Sequence, residues 1–153
     1  MVTVVKKRAV LFQSQNQEQK KLNNLVLKSE RVLFRARTVF PFNFFPDEII
    51  IDESKVSIVT NLFLSSGQIR SVKYEEIYNV IIEYQPFFAS LELLDRFFEK
   101  RPMRINYLRK NDAEHARRLI QGMMAVTKEN IDINKLDMRE LIEKLDILGE
   151  AKE

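Results

Sequence analysis

The chain has a single His, His115, and no Cys. Metal centres and activated nucleophiles are assembled from sets of such groups: zinc takes several His, Cys or carboxylate ligands, and a nucleophile needs a base beside it. His115 stands between Glu114 and Ala116 with no second imidazole to complete a set, and it is expected to be an exposed surface residue. The carboxylate pairs Asp47-Glu48, Asp52-Glu53 and Glu75-Glu76 are adjacent in sequence, so in strands their side chains point to opposite faces and make poor acid/base dyads. Gly67, Gly122 and Gly149 are isolated, which leaves no glycine-rich phosphate loop. These residue types point to a chain that is not an enzyme and needs no cofactor or metal.

The chemistry that remains is that of contact. Phe40, Phe42, Phe44 and Phe45, then Phe87-Phe88, then Phe97-Phe98 fall in or beside predicted loops. Core lining is the expected role for them. Grouped on one rim they would instead form an apolar patch, and a patch of more than a few hundred Å² marks interaction. The stretch from Arg96 through Phe97 and Phe98 to Arg101 mixes aromatic and basic residues as interfacial anchors do. Arg31, Arg35 and Arg37 add a basic strand face. Residues 1–45 hold nine Lys/Arg against two Asp/Glu, residues 46–110 nine against ten, and residues 111–153 seven against ten. The formal net charge of +3 is thus a basic first third on a slightly acidic body. Such an arm attracts phosphates of nucleic acid or lipid or an acidic protein face, although a solvated extension is the plainer reading.

A chain of 153 residues that is 45% hydrophobic and 31% charged suits about one domain. At that size roughly 68–70% of the unfolded surface can be buried, so a core forms without staples. No stretch approaches the roughly 20 apolar residues of a membrane span. The N-terminal residues place apolar before basic, the reverse of a signal peptide, which favours a cytoplasmic and at most membrane-peripheral protein.

Residues 13–21 carry no apolar side chain and read as a linker within an arm over 1–29, with residues 22–28 able to extend it as a short helix. From Arg31 to Val39 the pattern alternates, with Val32, Phe34, Ala36 and Thr38 on one side and Arg31, Leu33, Arg35 and Arg37 on the other, as a half-buried strand with a basic outer face would. Pro41 and Pro46 bracket an apolar loop. Further strands are predicted over Glu48–Asp52, Lys55–Phe63, Gln68–Tyr74, Ile77–Tyr84, Ser90–Leu94 and Met103–Leu108, the last alternating Met103, Ile105 and Tyr107 against Arg104, Asn106 and Leu108. Seven short strands joined by turns argue antiparallel sheets in a sandwich or barrel. At Asn111 the period becomes helical, with Asn111 and Glu114 as a capping box. A second helix starts at Asp137 with Glu140 as its box and Leu136 and Leu141 as its staple, and Gly149 is expected to end it.

Phe40-Pro41-Phe42-Asn43-Phe44-Phe45-Pro46-Asp47, Tyr74-Glu75-Glu76-Ile77-Tyr78-Asn79-Val80, Pro86-Phe87-Phe88-Ala89-Ser90-Leu91 and the run from Asn111 to Gly122 together resemble a group of bacterial pleckstrin-homology-like (PH-like) proteins. The resemblance covers roughly residues 30–130, and the tail from Leu136 to Gly149 is similar to that group's ending. It implies a mainly β fold with α: an antiparallel, seven-stranded, partly open barrel over 30–130 capped by a C-terminal helix, preceded by the basic arm over 1–29 and followed by a second short helix and tail over 131–153. It also implies a binding scaffold that presents a loop rim, a sheet edge or a helix groove. PH-like members that bind phosphoinositides use a basic hairpin between their first strands. The corresponding turn here, Asp52-Glu53-Ser54-Lys55, is mostly acidic, so unless the relevant hairpin is the one near Phe42, such recognition is not expected.

Three functions follow as expectations. The first is a module whose sheet edge or helix groove binds a protein segment or another copy of the chain as a homo-oligomer. The second is peripheral association with an anionic membrane through the arm and the Phe-rich loops, at about 1 kcal/mol per basic residue near the surface. The weakest is nucleic-acid binding by the arm, which has charge but no stacking motif.

Overall fold

Runs of β-branched residues between turn signals form seven strands in the computed structural model of the chain, which describes residues 31–41, 44–62, 66–97 and 102–151 together with Gln17, Gln19 and Leu22. Those three residues are helical and exposed; the rest of the arm lies outside the described residues. The strands are β1 (Val32–Arg37), β2 (Glu48–Asp52), β3 (Lys55–Asn61), β4 (Gly67–Lys73), β5 (Ile77–Tyr84), β6 (Ala89–Asp95) and β7 (Met103–Leu108), with a single 3₁₀ turn at Tyr74–Glu76. Two helices follow, α1 (Lys110–Lys128) and α2 (Met138–Glu150).

All strand pairs are antiparallel, and the hydrogen bonds divide the strands into a sheet of four, β1-β2-β3-β4, and a sheet of three, β5-β6-β7. The expected mainly β body with two C-terminal helices forms; a closed barrel does not, among the described residues. The inner faces of both sheets and one face of α1 share one core, in which Ile49, Ile51, Val56, Leu91, Ile105 and Ile120 are almost entirely removed from solvent. Burial of such side chains contributes about 1.5–3 kcal/mol each.

Two strand faces and one helix end differ from expectation. In β1 the register shifts between Val32 and Phe34, so this bulge turns Leu33 inward while Val32 is exposed. In β7, Tyr107 takes φ of 60°, and the β6–β7 register shifts between Ala89 and Leu91. Leu108 is thereby buried and the Tyr107 ring turned outward, the reverse of strict alternation. Gly149 does not end α2, which runs on to Glu150 with Gly149 buried. A Cβ on Gly149 would strike the backbone oxygen of Arg118, and one on Gly122 that of Leu145, so the two glycines allow α1 and α2 to cross at backbone contact.

The helix starts differ as well. α1 begins two residues early, with Arg109 in place of Asn111 as its N-cap and no side-chain cap. At α2 the Asp137 carboxylate accepts from the backbone N–H groups of Arg139 (2.7 Å) and Glu140 (3.1 Å), as the capping pattern requires. His115 is not an exposed surface residue. Its Nδ1 lies 2.9 Å from Asp146 Oδ1 across the helix pair, and its ring meets Phe34 edge-on with centroids 4.8 Å apart. Arg118 Nε donates to the same Asp146 oxygen at 2.8 Å. Partial burial alone would raise the Asp146 carboxyl, but the hydrogen bonds from Arg118 and His115 outweigh it and hold the group below the ordinary carboxylate range.

Candidate functional site

The strand registers sort the connections into two ends. The turns β2–β3 and β4–β5 and the loop β6–β7 lie at one end; the loops β1–β2, β3–β4 and β5–β6 lie at the other. At the first end polar groups turn inward and close the structure. The Asp52 carboxylate accepts from Ser54 N (2.7 Å), Ser54 Oγ (2.6 Å) and Lys55 N (2.8 Å), an Asx-type turn. The Tyr74 hydroxyl donates to the Asp52 carbonyl, and its ring is buried. Burial above all, then the charges of Asp52 and Glu53, push the Tyr74 phenol well above its ordinary value. The Glu53 carboxylate is wholly buried and pairs with Arg31 at 3.0 Å, while a second nitrogen of Arg31 donates to the Leu136 carbonyl at 3.2 Å. Arg31 therefore ties the β2–β3 turn to the segment before α2. Two open clefts of about 320 and 330 Å³ flank Glu75 at this end, one reaching Ser54 and Asn130 and the other Arg96 and Lys128.

At the second end the arrangement is inverted. Val39 N donates to the Tyr107 carbonyl at 3.0 Å, Phe88 packs edge-on against the Tyr107 ring, and Asn61 binds Pro46 O (2.6 Å) and Asp47 Oδ1 (3.1 Å). These bonds draw the three loops into one rim. Phe40, Phe44 and Phe87 are 64%, 73% and 81% exposed there, beside Phe45 and Leu62. The expectation of core lining is overturned for these residues. The inner positions beneath them are already filled by Ala36, Ala89 and Leu108, so no core site remains for the loop aromatics.

The other candidate residues separate. Arg35 and Arg37 flank Glu48 at 3.5 and 3.3 Å across β1 and β2. Arg96 and exposed Phe97 belong to the opposite end from Phe44, Phe45, Phe87 and Phe88, since Arg96 N bonds Glu76 O beside the 3₁₀ turn. Phe42, Phe98 and Arg101 lie outside the described residues. Sequence reasoning missed Tyr107 as a rim residue, because its left-handed backbone has no signature in an alternating strand.

A third surface runs along α1. β5 is an eight-residue edge strand paired only with β6, and α1 lies along it, with the Tyr84 hydroxyl donating to Glu114 Oε1 at 3.1 Å. The hairpin bond from Gln85 N to Phe88 O (2.8 Å) sets the ladder, so Ile81 and Glu83 bond β6 while Val80 and Ile82 turn their polar groups outward. The outward Val80 N–H is capped by Asn79 Oδ1 at 2.8 Å. No group of His, Cys, Asp and Glu able to hold a metal occurs among the described residues, and none of their helices is long and apolar enough to cross a membrane. Comparison with protein-family models, curated proteins and solved structures returns no match.

Proposed function

We propose that this chain is a non-catalytic, PH-like binding module that takes an extended protein segment along the outer edge of β5, in the groove against α1. The observation that carries this reading is the unpaired outer ladder of β5 at Ile82, beside a helix. A segment lying there gains main-chain hydrogen bonds, and side-chain pockets supply selectivity. The cleft holding Arg96 and Lys128 at the far end of the groove suits an acidic side chain or a terminal carboxylate, with Glu75 limiting how much negative charge it takes.

A random library of peptides of roughly ten residues, long enough to pair with β5, tests this directly. Retained peptides are expected to slow hydrogen exchange at the Ile82 amide, and Ile82→Pro, which removes an outward donor without a β6 partner, is expected to abolish retention. Enriched peptides that leave Ile82 exchange unchanged, or retention that survives the proline, would exclude this edge. A second copy occupying the edge would appear as a dimer in light scattering.

A further inference from the structure

We propose that Gln121 on α1 determines the specificity of the β5 groove and reads a neutral hydrogen-bond-donating side chain, a hydroxyl or a carboxamide, on the bound segment. This assignment rests on the β5 groove being the binding site. The fold leaves one polar atom of α1 unanswered: Gln121 is half-buried, yet its Oε1 is shut away from water and has no hydrogen-bond partner among the described residues. A buried acceptor left unpaired costs at least as much as a lost hydrogen bond, and native structures rarely carry one without a use for it.

Helical periodicity sets Gln121 on the side of α1 that borders β5. It stands seven residues after Glu114, which accepts from Tyr84, and seven before Lys128, which shares a cleft with Arg96 and Glu75. The opposite side of the helix meets α2 through His115, Arg118 and Gly122. α1 and β5 run in opposite directions, since the helix starts beside Tyr84 and ends beside the cleft at the start of β5. Seven helical residues rise about 10.5 Å, the length of about three strand residues, so Gln121 is level with Val80 and Ile81.

At that level the strand edge is one-sided in its hydrogen bonding. The outward N–H of Val80 is already taken by Asn79 Oδ1 at 2.8 Å, while the Val80 carbonyl faces outward with it. The middle of the groove therefore offers two acceptors, Val80 O and Gln121 Oε1, and no free strand donor. A segment lying there satisfies the first with a main-chain N–H. The second needs a side-chain donor, and Gln121 turns out of its buried position to meet it. The cost carried in the free protein is released on binding, which supplies the differential free energy for that turn. Arg117 stands one turn before Gln121, and α1 has no carboxylate between Glu114 and Lys128, so a cationic donor finds no counter-charge on this helix.

Gln121→Met keeps the length of the side chain and removes the acceptor. Its circular dichroism is expected to match the wild type, and its urea midpoint to lie higher because the buried oxygen is gone. Peptides from the random library that protect the Ile82 amide of the wild type are expected to share Ser, Thr, Asn or Gln at one position and to bind Gln121→Met about tenfold more weakly. Selection on Gln121→Met is expected to replace that residue by an apolar one. Peptides that protect Ile82 but share no donor, or that bind both proteins equally, overturn this assignment and leave the β5 groove standing. A midpoint at or below that of the wild type overturns it as well, because the oxygen would then be paired in the free protein. A library in which no peptide protects Ile82 overturns both the assignment and the groove.

Discussion

Both ends of the sheet pair are made of short antiparallel connections, yet they place side chains in opposite senses. At the Asp52–Lys55 end the charged and hydroxyl-bearing residues turn inward: Glu53 is buried against Arg31, and Tyr74 is buried against the Asp52 carbonyl. At the Phe40–Asp47 end the apolar rings turn outward. Buried polar groups are costly unless paired, so the first end is organised around satisfying them, and its residues are committed to the fold. Exposed rings give up their transfer energy, so the second end leaves stability unused that contact with another apolar phase would recover. The contrast separates an end committed to the fold from an end whose rings are left in water. It also reassigns Arg31: the residue that opens the basic run to Arg37 serves as an internal counter-charge.

Substitutions at the closed end should therefore be expensive. Arg31→Met removes the guanidinium that faces the buried Glu53 carboxylate and the bond to Leu136, and is expected to cost about 2–3 kcal/mol in urea unfolding, reduced from the fully buried case because Arg31 is partly exposed. Arg31→Met combined with Glu53→Met should recover much of the loss. A cost within experimental error for the single variant would erase the distinction between the ends.

Tyr74→Phe comes next, at about 1–2 kcal/mol near neutral pH, because it strips the donor from a buried carbonyl. Its pH dependence is a sharper check. Burial and the neighbouring carboxylates hold the folded phenol above the unfolded value, so the folded chain keeps this proton when the unfolded chain loses it. The stabilisation is complete below about pH 10 and is lost as pH rises above that value. Urea midpoints of the wild type should fall more steeply across that range than those of Tyr74→Phe; parallel curves would show that Tyr74 is not held protonated by the fold.

Strand positions were legible in the sequence where turn residues bound a short apolar run. β2 and β5 have the bounds that Pro46, the Asp52–Ser54 turn and Pro86 suggest. What local pattern could not carry is parity and partnership. The bulge at Val32 and the left-handed Tyr107 each reverse which residues face inward, and neither leaves a mark on composition. Gly149 reads like a helix stop because a capping glycine and a glycine at a helix crossing are the same residue, distinguished only by a neighbour 31 positions earlier, Arg118. His115 looked solvated because Asp146 lies as far away in sequence as the second helix. For the candidate site, the Phe and Arg types were visible, but their distribution between two ends depends on strand register, which is set by long-range pairing.

The smallest effect is the one that isolates the open end. Phe87→Ser removes a ring that is 81% exposed, so the isolated protein should change in stability by no more than about 0.5 kcal/mol, the usual range for surface substitutions. A phenylalanine in the core would cost about 3–5 kcal/mol to truncate. Urea unfolding of the variant therefore separates the two placements by a wide margin. A cost above about 2 kcal/mol would mean that the ring is packed in solution and that the rim is part of the core. Near-neutral stability together with reduced light scattering at high protein concentration would mean that Phe87 is carried in water at a cost to solubility, as a residue kept for contact is.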